Sequence, residues 1–350
     1  MHLKIAASAL LALWTGVVLA TSSVTNAVST WAPIPTGSLG PEPGPDNWRV
    51  ESFGGGAYMV TDNQYQAFFL VSKKGVIVVD APPSIGRGML WAVGNTTNIP
   101  ITHFIYSHSH SDHAGGAYLI ATKGVKVIAH RLTRGILADR ADPKRPLPHI
   151  VFDTDYTLRV GNQTLELSYK GNAHEPGNIF IYAPIQKVLM LVDIVYPGWA
   201  PFSGLGQAEY VPGYVRAYDQ VLEYDFDHLV AGHLARSGTR ADVYVGQRYI
   251  ADLKATCTRA IQLSALPPNA TNPISAQEIT GPVHSANPQN PWAVFKAYLD
   301  ELARWCANET NARWVGTIAA VDTFGFENAL TMVESLRLDY DVLGPFGVSN

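Results

Sequence analysis

The strongest constraint on the fold of this chain is a cluster of metal-ligand side chains in the segment Ser107-His108-Ser109-His110-Ser111-Asp112-His113. Three imidazoles and one carboxylate fall within six consecutive positions, and these are groups that zinc takes as ligands in catalytic sites. Residues 101–106 lie directly before the cluster and end in the apolar run Phe104-Ile105-Tyr106, which predicts a short buried strand. We therefore expect the fold to place the end of a core strand at a metal site rather than in a surface loop.

The spacing within the cluster favours two metal ions. Alternate residues at the end of an extended strand point to the same side, so His108 and His110 can reach one ion. Asp112 and His113 lie past the strand, where the turn into the next helix can direct them to a second ion close by. The pair Gly115-Gly116 lets this helix begin close to the site, because glycine has no side chain to keep the backbone away.

The cluster has the His-x-His-x-Asp-His form of the metallo-β-lactamase superfamily, which the chain resembles over roughly residues 47–245. Three further residues stand in the order that the family has: His174 in a Gly-x-x-His segment, Asp193 after one strand-like run and His233 after another. An Asp at the position of Asp193 resembles the glyoxalase II and lactonase branches, which makes antibiotic hydrolysis a less favoured role. The resemblance implies that a first metal ion is bound by His108, His110 and His174, that a second is bound by Asp112, His113 and His233, and that Asp193 bridges the two.

The remaining pattern predicts an α/β fold. The predicted helices cover residues 85–95, with Ser84 as the cap, and residues 132–138, 210–222 and 241–263, and amphipathic helical segments follow at 292–305 and 326–336. Together with the resemblance, this pattern implies a four-layer αββα metallo-β-lactamase sandwich with a helical C-terminal extension. The predicted strands cover residues 57–60, 66–71, 75–79, 101–106, 125–129, 156–160, 163–169, 178–182, 188–192 and 228–231.

Four regions are predicted along the chain. Residues 1–20 hold an apolar run that ends in small residues, as in a cleaved signal peptide, so we expect a secreted, extracellular protein. Residues 21–46 form a Pro/Gly-rich extended arm, residues 47–265 the metallo-β-lactamase-like domain, and residues 266–350 the helical extension. Cys257 and Cys306 are expected to form a disulfide that ties the extension to the domain. Candidate glycosylation sites begin at Asn95, Asn162, Asn269 and Asn308.

The expected cofactor is two zinc ions per chain, with iron or manganese as alternatives. Two divalent ions would lower the pKa of a bound water to about 7 and polarise a substrate carbonyl. Asp112 would bind a metal ion, orient the attacking hydroxide and pass a proton to the leaving group. These roles make Asp112 the predicted catalytic residue.

The expected partner is a small-molecule substrate. Trp199 and Phe202 follow Asp193 closely, so their side chains either lie at the mouth of the site or pack beneath the next helix. Asn178, which follows His174, is a third candidate for the substrate pocket. Residues 194–215 contain no Lys or Arg, which favours an uncharged or weakly charged ester, lactone, thioester or lactam with a sizeable apolar part.

Charge and motif content disfavour other classes. A net charge of −4 without a basic run disfavours nucleic acid as a partner. No stable membrane insertion is expected once the signal peptide is cleaved, and the sequence makes no prediction of the oligomeric state. The alternative that stays open is a mononuclear iron sulfur dioxygenase on the same fold, whose ligand triad is compatible with His108, His174 and Asp193.

Overall fold

The structure is a computed structural model that describes residues 30–269 and 272–347. The predicted signal peptide, residues 1–20, and residues 21–29 of the predicted arm lie outside the described residues. Among the helices that the structure does describe, none combines the length and apolar character needed to cross a bilayer.

Two β-sheets form the centre of the fold. In the first, β1 to β4 pair antiparallel and β4 to β7 pair parallel, and the strands lie side by side in chain order. The second has the order β12-β11-β10-β9-β8, with only β11 and β12 parallel. The first sheet contains β1 (Arg49–Gly54), β2 (Ala57–Thr61), β3 (Gln66–Ser72), β4 (Gly75–Val79), β5 (Ile101–Ile105), β6 (Lys126–His130) and β7 (Ile150–Phe152), and the second β8 (Asp155–Val160), β9 (Gln163–Ser168), β10 (Phe180–Ala183), β11 (Val188–Met190) and β12 (His228–Val230).

Helices cover the outer face of each sheet. The short segment α5 has a left-handed backbone from Gly204 to Gln207, unlike the other helices. Short 3-10 turns occur at Thr36–Ser38 and Gly344–Phe346. The helices are α1 (Gly86–Thr96), α2 (Ser111–Ala114), α3 (Ala117–Ile120), α4 (Arg131–Arg140), α5 (Ser203–Gln207), α6 (Val211–Leu222), α7 (Arg240–Ser264), α8 (Ala276–Ala286), α9 (Pro291–Trp314) and α10 (Val321–Asp339).

The burial of alternate residues explains the four layers. Successive side chains of a strand point to opposite faces. In β3, Phe68 and Leu70 pack between the two sheets, whereas Phe69 packs on the opposite face with Met89 of α1. Both faces of the first sheet are therefore buried, which is why its central strands are continuous apolar runs. A third cluster joins the second sheet to α6, α7, α9 and α10. The αββα sandwich and its C-terminal helices are confirmed.

The C-terminal helices share a hydrophobic cluster with the second sheet. α9 and α10 pack against each other and against α7, and Leu302 and Met332 are completely buried among residues of α6 and α7. The predicted disulfide is confirmed, because Cys257 of α7 and Cys306 of α9 are bonded with their Cα atoms 5.0 Å apart. The bridge therefore fixes α9 to the longest helix that packs on the second sheet.

Three local expectations are corrected. Ser84 does not cap α1, since the residue before the helix is Ile85 and no side chain caps it. Strands β1 and β7 are additional to the prediction, because β1 mixes charged and apolar residues at a sheet edge and β7 has only three residues. The described part of the arm contains a 3-10 turn and lies against the domain, with the Ser38 hydroxyl donating to the Gly198 carbonyl at 2.6 Å.

The disulfide predicts a measurable stability difference. Cys257 and Cys306 are 49 positions apart, and a bridge closing a loop of that size stabilises the fold by about 4 kcal/mol in the chain-entropy description. We expect Cys257→Ala, Cys306→Ala and the double variant to lose similar free energies of unfolding in urea, because each breaks the same bond. A double variant that loses the sum of the two single losses would contradict this account.

Candidate metal centre

The candidate ligands lie in loops at one edge of the two sheets. β5 ends at Ile105, and the chain continues through His108 and His110 into α2, which carries Asp112 and His113. In the second sheet, β11 and β12 run parallel and therefore end at the same edge, where they are followed by Asp193 and His233. His174 lies in the loop between β9 and β10. Ligands far apart in sequence meet because the ends of these strands meet.

A first group of nitrogen and oxygen atoms converges on one point. The ring nitrogens His110 Nδ1 and His174 Nε2 are 3.0 Å apart. The Asp193 carboxylate lies 3.2 Å from His174 Nε2 and 3.4 Å from His108 Nε2. His108, His110, His174 and Asp193 could hold a metal ion between them.

A second group adjoins the first. His113 Nε2 and His233 Nε2 are 3.1 Å apart, and Asp112 Oδ2 lies 3.5 Å from the former and 3.7 Å from the latter. Asp112, His113 and His233 could hold a second ion. The Asp193 carboxylate also contacts this group, with Oδ2 3.2 Å from His113 Nε2 and Oδ1 2.9 Å from His233 Nε2. Asp193 thus lies between the two groups.

These spacings fit metal ligation. A tetrahedral zinc ion with ligands at 2.0–2.1 Å separates its ligand atoms by about 3.3 Å, which is close to the separations in both groups. The buried His108 Nε2 has no hydrogen-bond partner within residues 30–269 and 272–347. A buried ring nitrogen without a hydrogen-bond partner is unfavourable unless another group, such as a metal ion, takes its lone pair.

The backbone around Asp193 is held in an uncommon conformation. Asp193 has φ +65°, and its N–H donates to the Ala231 carbonyl at 3.2 Å. Gly232 has φ +91°, and a side chain there would have its Cβ 2.5 Å from Val192 and 3.2 Å from the His113 ring. Only glycine allows this close approach, and strained positions of this kind cluster at functional sites. The turn after β12 therefore has room for His113 beside His233.

Burial and the charges of neighbouring groups shift the pKa values of three buried side chains of the centre, Asp193, His113 and His108. Burial raises the pKa of Asp193, but the imidazoles of His113 and His174 more than offset this and hold that pKa well below its ordinary value of 3.8. Burial lowers the pKa of His113, and Asp193 raises it, to about 9. Burial holds the pKa of His108 well below its ordinary value. The Asp193 carboxylate is therefore anionic and balanced by adjacent cationic charge.

Glu175 orients His110 and was not predicted from the sequence. This carboxylate is buried, and it accepts hydrogen bonds from the Ser109 amide at 2.7 Å and the Ser109 hydroxyl at 2.6 Å. His110 Nε2 lies 3.3 Å from Glu175 Oε1, so the opposite ring nitrogen, Nδ1, faces His174. A carboxylate behind a ligand imidazole fixes its tautomer and orientation. The only signal for this role in the sequence is an acidic residue directly after His174.

Asp80, directly after β4, supports the cluster. Its carboxylate is completely buried and accepts a hydrogen bond from the Ser107 amide at 2.8 Å. The Ser107 carbonyl in turn accepts from the Ile179 amide at 3.0 Å, which links the loop before His108 to both sheets. Burial raises the pKa of Asp80 to about 6. Asp80 therefore anchors the start of the ligand loop, and its carboxyl group also interacts electrostatically with His113.

A cavity of about 710 Å³ opens beside the centre. Trp199 and Phe202 line it, as one of the two sequence interpretations expected, and Phe202 lies beside the His233 ring. Asn178 is not among its lining residues in the described chain, and the amide of Asn178 donates to the Val192 carbonyl instead. The cavity walls also include Trp31, Ile34, Tyr65, His110, Ser111, Asp112, Arg140, Asp193, Tyr196, Ala200, Gln207, His233, Leu234, Ala320, Thr323 and Phe324.

Comparison with known proteins places this geometry in a family. The family model described as "Metallo-beta-lactamase superfamily" matches residues 60–233, which include all seven candidate metal ligands. The chain belongs to the metallo-beta-lactamase superfamily. A solved metallo-beta-lactamase from Pontibacter korlensis aligns with a TM-score of 0.52 and 20% identity, covering 58% of this chain and 99% of that one. At that identity the likeness concerns the fold alone.

Two curated relatives share about a quarter of the aligned residues. The alpha subunit of 2,4-dinitroanisole O-demethylase from Nocardioides sp. (strain JS1661) is 26% identical over 208 residues, or 57% of this chain and 63% of that subunit. Metallo-beta-lactamase type 2 from Elizabethkingia meningoseptica is 27% identical over 172 residues, or 48% of this chain and 68% of that enzyme. The match to the demethylase subunit thus spans less than two thirds of its length.

The superfamily segment accounts for the metal centre but not for the whole cavity. Tyr65, Arg140 and Trp199 belong to residues 60–233, whereas Trp31, Ile34, Ala320, Thr323 and Phe324 lie before or after this segment. Residues 194–215 contain no Lys or Arg, but Arg140 reaches the cavity from α4, elsewhere in the chain. The cavity therefore has a cationic side chain that the sequence did not predict.

The raised pKa of Asp80 predicts that the stability of the metal-free protein depends on pH. The folded pKa of about 6 exceeds the ordinary 3.8, so folded protein keeps a proton that the unfolded chain releases. Stability should therefore fall as pH rises above about 4, by about 3 kcal/mol in total once the pH is well above the folded pKa. Urea unfolding of the Asp80→Asn variant, which cannot ionise at this position, should lack this component. Identical pH profiles for both proteins would contradict the prediction.

Proposed function

We propose that the chain is a secreted, metal-dependent hydrolase that uses two zinc ions to cleave an ester, lactone, thioester or lactam bond in an uncharged or weakly charged substrate. The observation that carries the proposal is the pair of adjoining ligand groups around Asp193, which open onto one cavity. Further support comes from a relative that is named a metallo-beta-lactamase.

The proposed ligand set follows the two groups. His108, His110 and His174 would hold the first ion, Asp112, His113 and His233 the second, and Asp193 both. Divalent ions in such a site lower the pKa of a water molecule and polarise a carbonyl group. The chain's own residues then have to hold the substrate, orient the attacking water and move protons.

Asp112 is the proposed catalytic residue. Its side chain is 40% exposed, whereas that of Asp193 is 2% exposed, so Asp112 is the more accessible of the two carboxylates. It lines the main cavity and also a second one of about 360 Å³ bounded by Asp142 and Lys144. A carboxylate between two solvent-filled spaces can accept a proton from the attacking water and return it to the leaving group.

Tyr65 is a proposed hydrogen-bond donor to the substrate. Its ring lies 4.9 Å from the His233 ring, and it lines the cavity beside Asp112. Burial, followed by the charges of Asp112 and Asp193, raises its pKa above the ordinary value of 10.0. The phenol is therefore neutral at physiological pH and able to donate to a developing oxyanion.

The cavity favours substrates with at most one negative charge. Arg140 is exposed at the cavity and forms no ion pair with any residue of the described chain. The Arg140 guanidinium can pair with one anionic group of a substrate. Because this ion pair would be exposed to solvent, it would add about 1 kcal/mol or less to binding. Apart from the proposed metal ions, Arg140 is the one Lys or Arg side chain in the described lining, which supports the uncharged or weakly charged class.

Secretion rests on the sequence of residues 1–20 and on the disulfide. Disulfides persist in oxidising compartments and are rare in reducing ones. The bond between Cys257 and Cys306 therefore supports passage through a secretory compartment. The substrate would accordingly be met outside the cell or in the secretory lumen.

The function is tested by metal content together with hydrolysis. We expect elemental analysis of the purified protein to give about two zinc ions per chain. We also expect the protein to cleave chromogenic esters, lactones or a β-lactam. A chelator should abolish this hydrolysis, and added zinc should restore it. One iron per chain with oxygen consumption and no hydrolysis would overturn the proposal. That result would instead support the sulfur dioxygenase alternative built on His108, His174 and Asp193.

The role of Asp112 predicts a specific variant. Asp112→Asn should keep much of the zinc, because six other ligands remain, but lose about 100- to 10,000-fold in kcat, the range that general acid–base groups contribute. The matched control is Asp227→Asn, an exposed carboxylate next to the start of β12, at the opposite end of that strand from His233. Near-normal turnover of Asp112→Asn with full zinc content would remove Asp112 from the mechanism.

A further inference from the structure

Two chemically different sets of residues line the cavity. One set consists of the candidate ligands His110, Asp112, Asp193 and His233. A second set, Trp31 and Ile34 of the arm and Phe324 of α10, is apolar, and we call it the apolar wall. All three residues of the apolar wall lie outside the superfamily segment, residues 60–233. The part of the chain that supplies the ligands therefore does not supply this wall.

The apolar wall is incompletely covered by the protein itself. Trp31 is 54% exposed and Ile34 is 38% exposed, and Phe324 is half-buried. Single exposed apolar residues are common, but these three line one concavity that is continuous with the metal centre. A molecule whose carbonyl group lies at the centre is in a position to cover them with its apolar part.

Hydrogen bonds hold the arm against the start of α10. The Ala32 amide donates to the Asp322 carboxylate at 2.7 Å, although the two residues are 290 positions apart. Farther along the arm, the Trp199 indole donates to the Ser38 carbonyl at 2.9 Å. The side chain of Arg236 donates to the Gly37 carbonyl at 2.8 Å. The arm is thereby fixed both to α10 and to the loop that follows Asp193.

A second set of bonds positions the start of α10. The Ala319 amide donates to the Gly198 carbonyl, and the Ala200 amide donates to the Ala319 carbonyl, both at 2.9 Å. Ala320 then takes a left-handed conformation, with φ +58°, and the amide of Phe324 donates back to its carbonyl. These contacts place Phe324 at the cavity before any ligand binds. A preformed site of this kind loses little conformational entropy on binding.

We propose that the apolar wall is the specificity site for the apolar part of the substrate, and this proposal rests on the proposed hydrolase function. The native substrate is then a carbonyl compound that carries an aromatic ring or a medium-length alkyl chain beyond the bond to be cleaved. A cavity of about 710 Å³ is of the size that encloses such a molecule, and it is large for an acetyl ester. In this proposal Trp31 and Phe324 determine which substrate binds, and they take no part in the cleavage of the bond.

The test begins with binding, independently of hydrolysis. Calorimetry on metal-free protein measures the affinity for straight-chain amides from butanamide to decanamide. We expect affinity to rise by up to about fourfold per methylene group as the alkyl chain of the amide covers the apolar wall.

Trp31→Ala and Phe324→Leu should reduce this dependence of affinity on alkyl-chain length. They should weaken decanamide binding by about tenfold or more, with butanamide binding changed less than twofold. The control is Trp292→Ala, because Trp292 is 76% exposed on α9 and does not line the cavity.

The same variants are then compared as zinc-loaded enzymes on nitrophenyl esters of increasing acyl length. Trp31→Ala should raise KM for the long esters and leave kcat/KM for the acetate ester within twofold of wild type, whereas Trp31→Phe should keep wild-type selectivity. Unchanged chain-length dependence of binding in Trp31→Ala and Phe324→Leu would overturn the proposal even if the protein is a hydrolase. Chain-length-dependent binding that both variants weaken, without hydrolysis of any ester, lactone, thioester or lactam by the zinc-loaded protein, would support the apolar wall and overturn the proposed function.

Discussion

The buried Asp193 carboxylate is the group around which the site is organised. An isolated carboxylate out of water is strongly unfavourable, so it is retained only where adjacent groups compensate its charge. Asp193 is 1% exposed and has the imidazoles of His108, His113, His174 and His233 within 3.4 Å. Each of those rings comes from a different loop or turn, except the pair His108 and His113. Compensation of one charge therefore requires both sheets to be correctly packed.

The packing of the sheets also limits how the ligands can move. Val192 and Val230 lie in the apolar layer between the sheets, directly before Asp193 and shortly before His233. Glu175 and Asp80 are themselves buried carboxylates, and both accept hydrogen bonds from the loop that carries His108 and His110. A rigid core on one side and charged hydrogen bonds on the other hold the ligand atoms in position before a metal ion binds. Preorganisation of this kind is what a catalytic metal site requires.

The sequence predicted features that are encoded locally. The strand that ends at Ile105 and the ligand cluster after it could be recognised because each lies in one short segment, and the central strands were located to within a few residues. The apolar wall could not be predicted, because Ala32 and Asp322 are brought together only by the tertiary fold. Arg140 was missed for the same reason. Glu175 was adjacent to a recognised residue, but an acidic residue in a loop is usually solvated, and only its burial distinguishes it.

The candidate ligands and the apolar wall come from different parts of this chain. The candidate ligands lie within residues 60–233, and their geometry depends on the two sheets. The apolar wall depends instead on the arm and α10, and α10 is held by its packing on α7 and by the bonds of buried Asn328 to Pro201 and Leu205. The hydrogen bonds that join the arm to α10 and to the loop after Asp193 use Ala32 and Ser38 and not the side chains of Trp31 and Ile34. Changes of these two side chains can therefore alter which molecule fits the cavity while the bonds that hold the arm beside the metal centre stay in place.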